Sequence, residues 1–136
     1  MTAIEKYEYW KSYADRDLDA AEAMFETGRW FYVVFMCQQA IEKMIKGLYN
    51  LHTNDDVPRT HNIGLLANRI EDCSAILFNT EKYELFETLS KYYIADRYPD
   101  FISKKGDLIS KEEAKTILIK TRETYAWLQT LKALNN

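Results

Sequence analysis

The stretch Phe35-Met36-Cys37-Gln38-Gln39-Ala40-Ile41-Glu42-Lys43-Met44-Ile45-Lys46 decides how the rest of the chain is read. Trp30, Val34, Cys37, Ile41, Met44 (or Ile45) and Leu48 recur at three- and four-residue steps, so they form one apolar stripe on a helix running from about Arg29 to His52. Beside that stripe Gln39, Glu42, Lys43 and Lys46 stand about one turn apart and share a polar face, which on an ordinary helix is solvated. Val33, Phe31 and Phe35 widen the apolar surface near the helix start. Such a helix is either the centre of a bundle or part of a dimer interface.

Working outward, Gly28 suits the left-handed position that closes a preceding helix. That first helix opens on a capping box, Thr2 with Glu5, and buries Tyr7, Trp10, Ala14, Leu18, Ala21 and Phe25. Its other face, Lys11, Asp15, Asp17, Asp19 and Glu22, reads as a solvated stripe. On the C-terminal side, Thr53 to Arg59 carries the turn residues and proline of a loop. A third helix is predicted from near Thr60 to about Cys73 on Ile63, Leu66, Ala67 and Ile70. After Ala75-Ile76-Leu77-Phe78, Asn79-Thr80 caps a fourth helix on Tyr83, Phe86, Leu89 and Tyr93, which should fade near Ala95 because the residue before Pro99 resists the α conformation. Asp96 to Ile109 reads as a long loop, a feature that in a small bundle often carries function. Ser110 and Glu113 repeat the capping box for a fifth helix on Ala114, Ile117, Leu118, Thr121, Tyr125, Leu128 and Leu131.

The expectation is therefore an all-α, up-and-down bundle of about five helices in one domain spanning residues 1–136. Only four glycines and two prolines interrupt the chain, which fits long helices rather than a sandwich of short strands. A net charge of -3 excludes a protein that clings to nucleic acid over its whole surface, while a local basic patch stays compatible with it. Cys37 and Cys73 lie apart among apolar neighbours without a CxxC or histidine cluster, and are expected to be buried free thiols. No run approaches the ~18 apolar residues of a membrane span, and the N-terminus lacks a leader pattern, so the protein is placed in the cytoplasm with no membrane partner.

No glycine-rich phosphate loop is present, and no Glu-x-x-His pair that would build a helical metal site, so neither metal catalysis nor a cofactor is expected. The two histidines, His52 and His61, flank the same loop. At the expected start of the third helix, the His61 ring could face a ligand or cap the turn. Arg97-Tyr98-Pro99 sets a guanidinium and a phenol on a proline-fixed loop, a combination able to grip a phosphate and stack on a base. The plainer alternative is an arginine that caps the fourth helix and a tyrosine that plugs the core.

Phe35-x-x-Gln38-Gln39-Ala40-Ile41-Glu42-Lys43-x-x-Lys46, then Pro58-x-x-His61-Asn62-Ile63-x-x-Leu66, then Arg97-Tyr98-Pro99-Asp100, resembles in order and spacing the HEPN (higher eukaryotes and prokaryotes nucleotide-binding) domain. Ala14-x-x-Asp17-Leu18 before these pieces and the helix of Ala114 after them extend the likeness over essentially the whole chain. The resemblance implies a helical bundle, usually dimeric, associated with nucleotide or RNA binding and often encoded beside, or fused to, a minimal nucleotidyltransferase. Some members are metal-independent ribonucleases that use an Arg followed after four to six residues by His. Here the corresponding positions after Arg97 hold Ile102, Ser103 and Lys104, which are poor replacements for an imidazole in proton exchange near neutral pH.

The reading that results is a non-catalytic HEPN-like protein that forms a homodimer and binds a nucleotide-like ligand or a partner minimal nucleotidyltransferase. Its expected ligand-binding residues are Gln39, Glu42, Lys43, Lys46, His61, Arg97, Tyr98 and Asp100, with Glu42 orienting Arg97 and the lysines facing a phosphate. Two other readings stand beside it. One is an RNA-cleaving toxin of a toxin-antitoxin pair, with Tyr98 or Asp100 in place of the histidine. The other is a purely structural interaction module.

Overall fold

Thr2 opens helix α1 (Ala3–Glu26) with a complete capping box: its hydroxyl accepts the Glu5 amide, and the Glu5 carboxylate accepts the amide of Thr2. Gly28, at φ 77, turns the chain into α2 (Trp30–Thr53), and the two helices lie antiparallel. The structure, a computed structural model, describes residues 1–93 and 109–134. Helices α3 (Ile63–Cys73), α4 (Thr80–Ser90) and α5 (Lys111–Thr130), followed by a 3-10 turn (Leu131–Leu134), complete an architecture that has no strand among the described residues. None of its helices is long and apolar enough to cross a membrane, again among the described residues.

Helix α2 is the centre of the bundle and touches every other helix. Its stripe is fully buried: Val34, Cys37, Ile41, Met44, Ile45 and Leu48 have no exposed surface. Burial pushes the Cys37 thiol up to about 12, so it stays an inert core group. Of the two roles open to the apolar start of α2, the structure shows the bundle centre, and the apolar excess is largely absorbed within the described residues. Phe31 is buried with its ring edge to face on Tyr92, and Trp30 lies against Phe25.

Where α1 and α2 cross, the backbones come close enough that a side chain on Gly47 would sit 3.2 Å from the Tyr7 ring and 3.3 Å from the Trp10 Cβ. The acidic stripe of α1 is also less solvated than its periodicity suggests. Asp15 accepts a hydrogen bond from the Tyr125 hydroxyl, Asp17 pairs with Lys43, and Glu22 with Arg122, so charges at the stripe edge strap α1 to α2 and α5. Burial, and then the Asp15 carboxylate, hold the Tyr125 phenol well above its ordinary range, keeping it a donor.

Two helix boundaries differ from expectation for local reasons. Helix α3 begins at Ile63, not near Thr60, because Asn62 is the N-cap: its side chain accepts the Leu65 amide, while the Thr60 hydroxyl accepts the amide of Asn62. Helix α4 stops at Ser90 instead of reaching Ala95. Tyr92 and Tyr93 close turns back to Leu89 and Ser90, which takes Tyr93 off the helical stripe. Cys73, expected to be buried, is exposed at the last residue of α3, where Ser74 bonds back to Ile70 and Ile76 takes the core position beyond. Most of the predicted loop from Asp96 to Ile109 lies outside the described residues; Ile109 itself is buried.

At the far end of α2, the His52 Nε2 lies 3.0 Å from the Leu131 carbonyl oxygen, to which it donates. Burial holds its pKa below the ordinary 6.5, so the folded state favours the neutral ring. The unfolded chain then takes up the proton first as the pH falls, and the stability this group contributes is present above about 6.5 and lost on acidification through that value. The thermal midpoint should drop more between pH 7 and pH 5 in the native chain than in His52→Gln, which keeps a donor that does not titrate. Equal slopes in the two proteins would show that His52 is not the group responsible.

Candidate functional site

Three turns into α2 the apolar stripe gives way to polar residues that do not stay at the surface. Gln38 is fully buried and Glu42 is 4% exposed. The Gln38 Nε2 donates to the Glu42 carboxylate at 2.7 Å and the Lys46 Nζ donates at 2.9 Å, both from one turn away on the same helix. The Gln39 side-chain amide donates to the Gln38 oxygen at 2.6 Å. These four residues form a chain of side-chain hydrogen bonds ending on one carboxylate that burial would make costly if it stood alone.

The third partner of that carboxylate arrives from nineteen positions away. The loop after α2 carries His61 back over the helix, with Nδ1 3.1 and 3.2 Å from the two Glu42 oxygens. A carboxylate only accepts, so Nδ1 carries the proton and, in the neutral ring, the Nε2 lone pair is left outward. The imidazole is about half exposed, and its face stacks on Tyr93 with centroids 3.6 Å apart and planes 17° from parallel. Lys46 also sits 5.4 Å over the Trp10 ring of α1. The result is a buried carboxylate paired with one cation, Lys46, and holding one edge of a planar, partly exposed ring.

Of the residues singled out from the sequence, the structure brings together Gln39, Glu42, Lys46 and His61. Lys43 turns the other way, with its Nζ 2.5 Å from Asp17, and Lys46 is engaged by Glu42, so both lysines have carboxylate partners within the chain. Arg97, Tyr98 and Asp100 lie outside the described residues. Glu42, expected on a solvated face, is instead inside, because the 53–62 segment and α3 cover that flank of α2. Sequence reasoning left out Gln38, Trp10 and Tyr93. Gln38 had a readable signal in its one-turn spacing from Glu42, whereas nothing local marks Tyr93 as a partner of His61.

Among the described residues, no group of three His, Cys, Asp or Glu side chains is arranged to hold a metal ion. An open cleft of about 220 Å³ between α4 and α5, floored by Leu85 and Ile117 and edged by Lys120 and Glu123, shares no residue with the cluster. The chemistry that the cluster can offer is hydrogen bonding and stacking from an oriented imidazole.

A family model described as the HEPN domain matches residues 7–131 of this chain. In fold, the chain is similar to the crystal structure of an archaeal HEPN homologue, with a TM-score of 0.73 and 23% identity over 93% of this chain and 97% of that one. It is also similar to the crystal structure of a protein from Thermus thermophilus, with a TM-score of 0.74 and 24% identity over 92% of this chain and 97% of that one. No curated protein matches it.

Proposed function

This chain belongs to the HEPN domain family, and from that premise we propose that it is a non-catalytic binding module which works as a homodimer and takes a nucleotide-like ligand at the Glu42–His61 cluster. One observation carries the reading: the central helix buries a carboxylate with a glutamine and a lysine around it and draws in a histidine from a distant loop. A buried ionic group of this kind is weak evidence for stability, since apolar residues of similar volume often do as well, and so it points to a role in recognition. The exposed part of the imidazole supplies a stacking and hydrogen-bonding surface for a base. Arg97 and Tyr98, four and five residues beyond Tyr93 in sequence, supply the phosphate-gripping and second stacking groups in this proposal.

Titration with ADP, followed by tryptophan and tyrosine fluorescence, tests it. Binding should weaken by about tenfold or more in a His61→Ala, Arg97→Ala double variant that keeps its helical circular dichroism, which corresponds to ~1.4 kcal/mol or more. Unchanged affinity would remove the cluster from consideration as the ligand site. Docking of a minimal nucleotidyltransferase is the companion proposal from the family resemblance, and co-purification of the two chains is its direct test.

A second reading gains support from one contact. Glu42 orients His61 in the way a carboxylate orients a general base, which offers the proton-exchanging imidazole that the positions after Arg97 lack. RNA incubated with the pure protein is nevertheless expected to stay intact. Cleavage that vanishes in His61→Ala would make the protein a ribonuclease and overturn the non-catalytic proposal.

A further inference from the structure

The cleft between α4 and α5 is built from one flank of each helix. Glu81, Glu84 and Leu85 line it from α4, and Ile117, Lys120 and Thr124, at steps of three and four residues, line it from α5. Its floor is aliphatic: Leu85 is 6% exposed, and Ile117 packs against the core. Its rim carries both signs of charge. Among the described residues none of Glu81, Glu84, Lys120 and Glu123 has an ion-pair partner, although Arg122, two positions from Lys120, takes Glu22. Thr124, one turn beyond Lys120 on the same wall, is only 8% exposed, and its hydroxyl makes no hydrogen bond among the described residues. A hydroxyl drawn that far from water is costly without a partner, and the cleft it lines is where a partner can reach it.

We propose that this cleft is a binding site for a free amino acid with a branched aliphatic side chain. The alkyl group of the ligand covers Leu85 and Ile117. Its ammonium goes to the Glu81 and Glu84 carboxylates on the α4 rim, and its carboxylate to the Lys120 ammonium and the Thr124 hydroxyl on the α5 wall. At about 220 Å³ the cleft falls below the ~300–1,000 Å³ of pockets that hold a drug-sized molecule, so the ligand is small. Charge then selects among small molecules. The phosphates of a nucleotide would meet the carboxylates of Glu81, Glu84 and Glu123, and a diamine would set a cation against Lys120. A purely apolar molecule would cover the floor and leave the rim charges and the Thr124 hydroxyl unmet. An ammonium and a carboxylate on one carbon, above an alkyl group, answer the floor and both walls together.

The test is a titration of the full chain with leucine, followed by its backbone amide signals in nuclear magnetic resonance. Ion pairs on an open rim are weak, so the dissociation constant should be about 1 mM. The amides of Leu85, Lys120 and Thr124 should shift, while those of Glu42 and His61 stay in place. Leucine amide lacks the carboxylate and N-acetylleucine lacks the ammonium, and each should bind about tenfold more weakly than leucine. Lys120→Ala should weaken leucine about tenfold and leave leucine amide unaffected, because that probe has no group for the lysine. Glu81→Gln with Glu84→Gln should weaken leucine and leave N-acetylleucine no weaker than before. These substitutions lie on the helix surface, and an otherwise unchanged spectrum verifies the fold. Absence of shifts at the cleft with tens of millimolar leucine would overturn the proposal. So would leucine affinity that survives Lys120→Ala. Leucine amide or N-acetylleucine binding as tightly as leucine would make the cleft a site for the end of a peptide chain, and would likewise overturn it.

Discussion

Gly47→Leu should lower the unfolding free energy by about 3 kcal/mol, the upper end for overpacking, whereas Gly47→Ala should fall close to the native value. The reason lies in the close approach of α1 and α2 at this position. A Cβ at residue 47 would already be 3.2 Å from the Tyr7 ring, 3.3 Å from the Trp10 Cβ and 3.4 Å from the Tyr7 carbonyl oxygen. For alanine, a shift of a few tenths of an ångström is offset by the ~1 kcal/mol that a helix interior gains when glycine is replaced. A leucine needs far more space, and two of its three nearest neighbours are a backbone atom and the root of a side chain, which cannot swing aside. It would have to push α1 off the central helix, loosening the Lys43–Asp17 pair and the Lys46 contact over Trp10. Urea unfolding of the three proteins is the measurement. A Gly47→Leu protein as stable as the native chain would show that α1 does not pack as tightly as described.

Removing the charge at the centre of the cluster should have an effect of similar size, but one that further substitution reverses. Glu42→Leu leaves the Lys46 ammonium without its carboxylate and the buried Gln38 amide and the His61 Nδ1 without their acceptor, for a loss of about 3 kcal/mol or roughly 10 °C in thermal midpoint. Replacing the group together, as Gln38→Leu, Glu42→Met and Lys46→Met, removes the buried unmet partners, leaves the half-exposed His61 ring and the Gln39 amide to water, and fills the same volume with apolar atoms. That triple variant should return to native stability or exceed it. The contrast matters for function: a cluster that can be replaced without loss of stability is there for something other than holding the bundle together. A triple variant as unstable as Glu42→Leu alone would make the cluster a structural device, and the ligand proposal would lose its main support.

The sequence alone determined that the described residues form five α-helices, and located most of their ends, because periodicity and capping are local properties. The steps between Trp30 and Leu48 mark the helix that must be covered on several sides, and Thr2, Gly28, Asn79 and Ser110 act on amides or backbone angles within a few residues of themselves. The family was legible for a related reason, since its pieces are short strings in a set order. What periodicity cannot decide is what lies against the edge of a stripe. Glu42 and Lys43 are neighbours on the same polar flank, yet one is buried beneath His61 and the other crosses to Asp17, because α3 and its leading loop cover one side of that flank and α1 borders the other. The same holds for Tyr93, which reaches His61 only because α4 stops at Ser90, and for Phe31, whose cover comes from Tyr92, some sixty positions away. The rotation and crossing of each helix, not its own pattern, set which polar side chains face one another, and that is why the cluster took shape only in the folded chain.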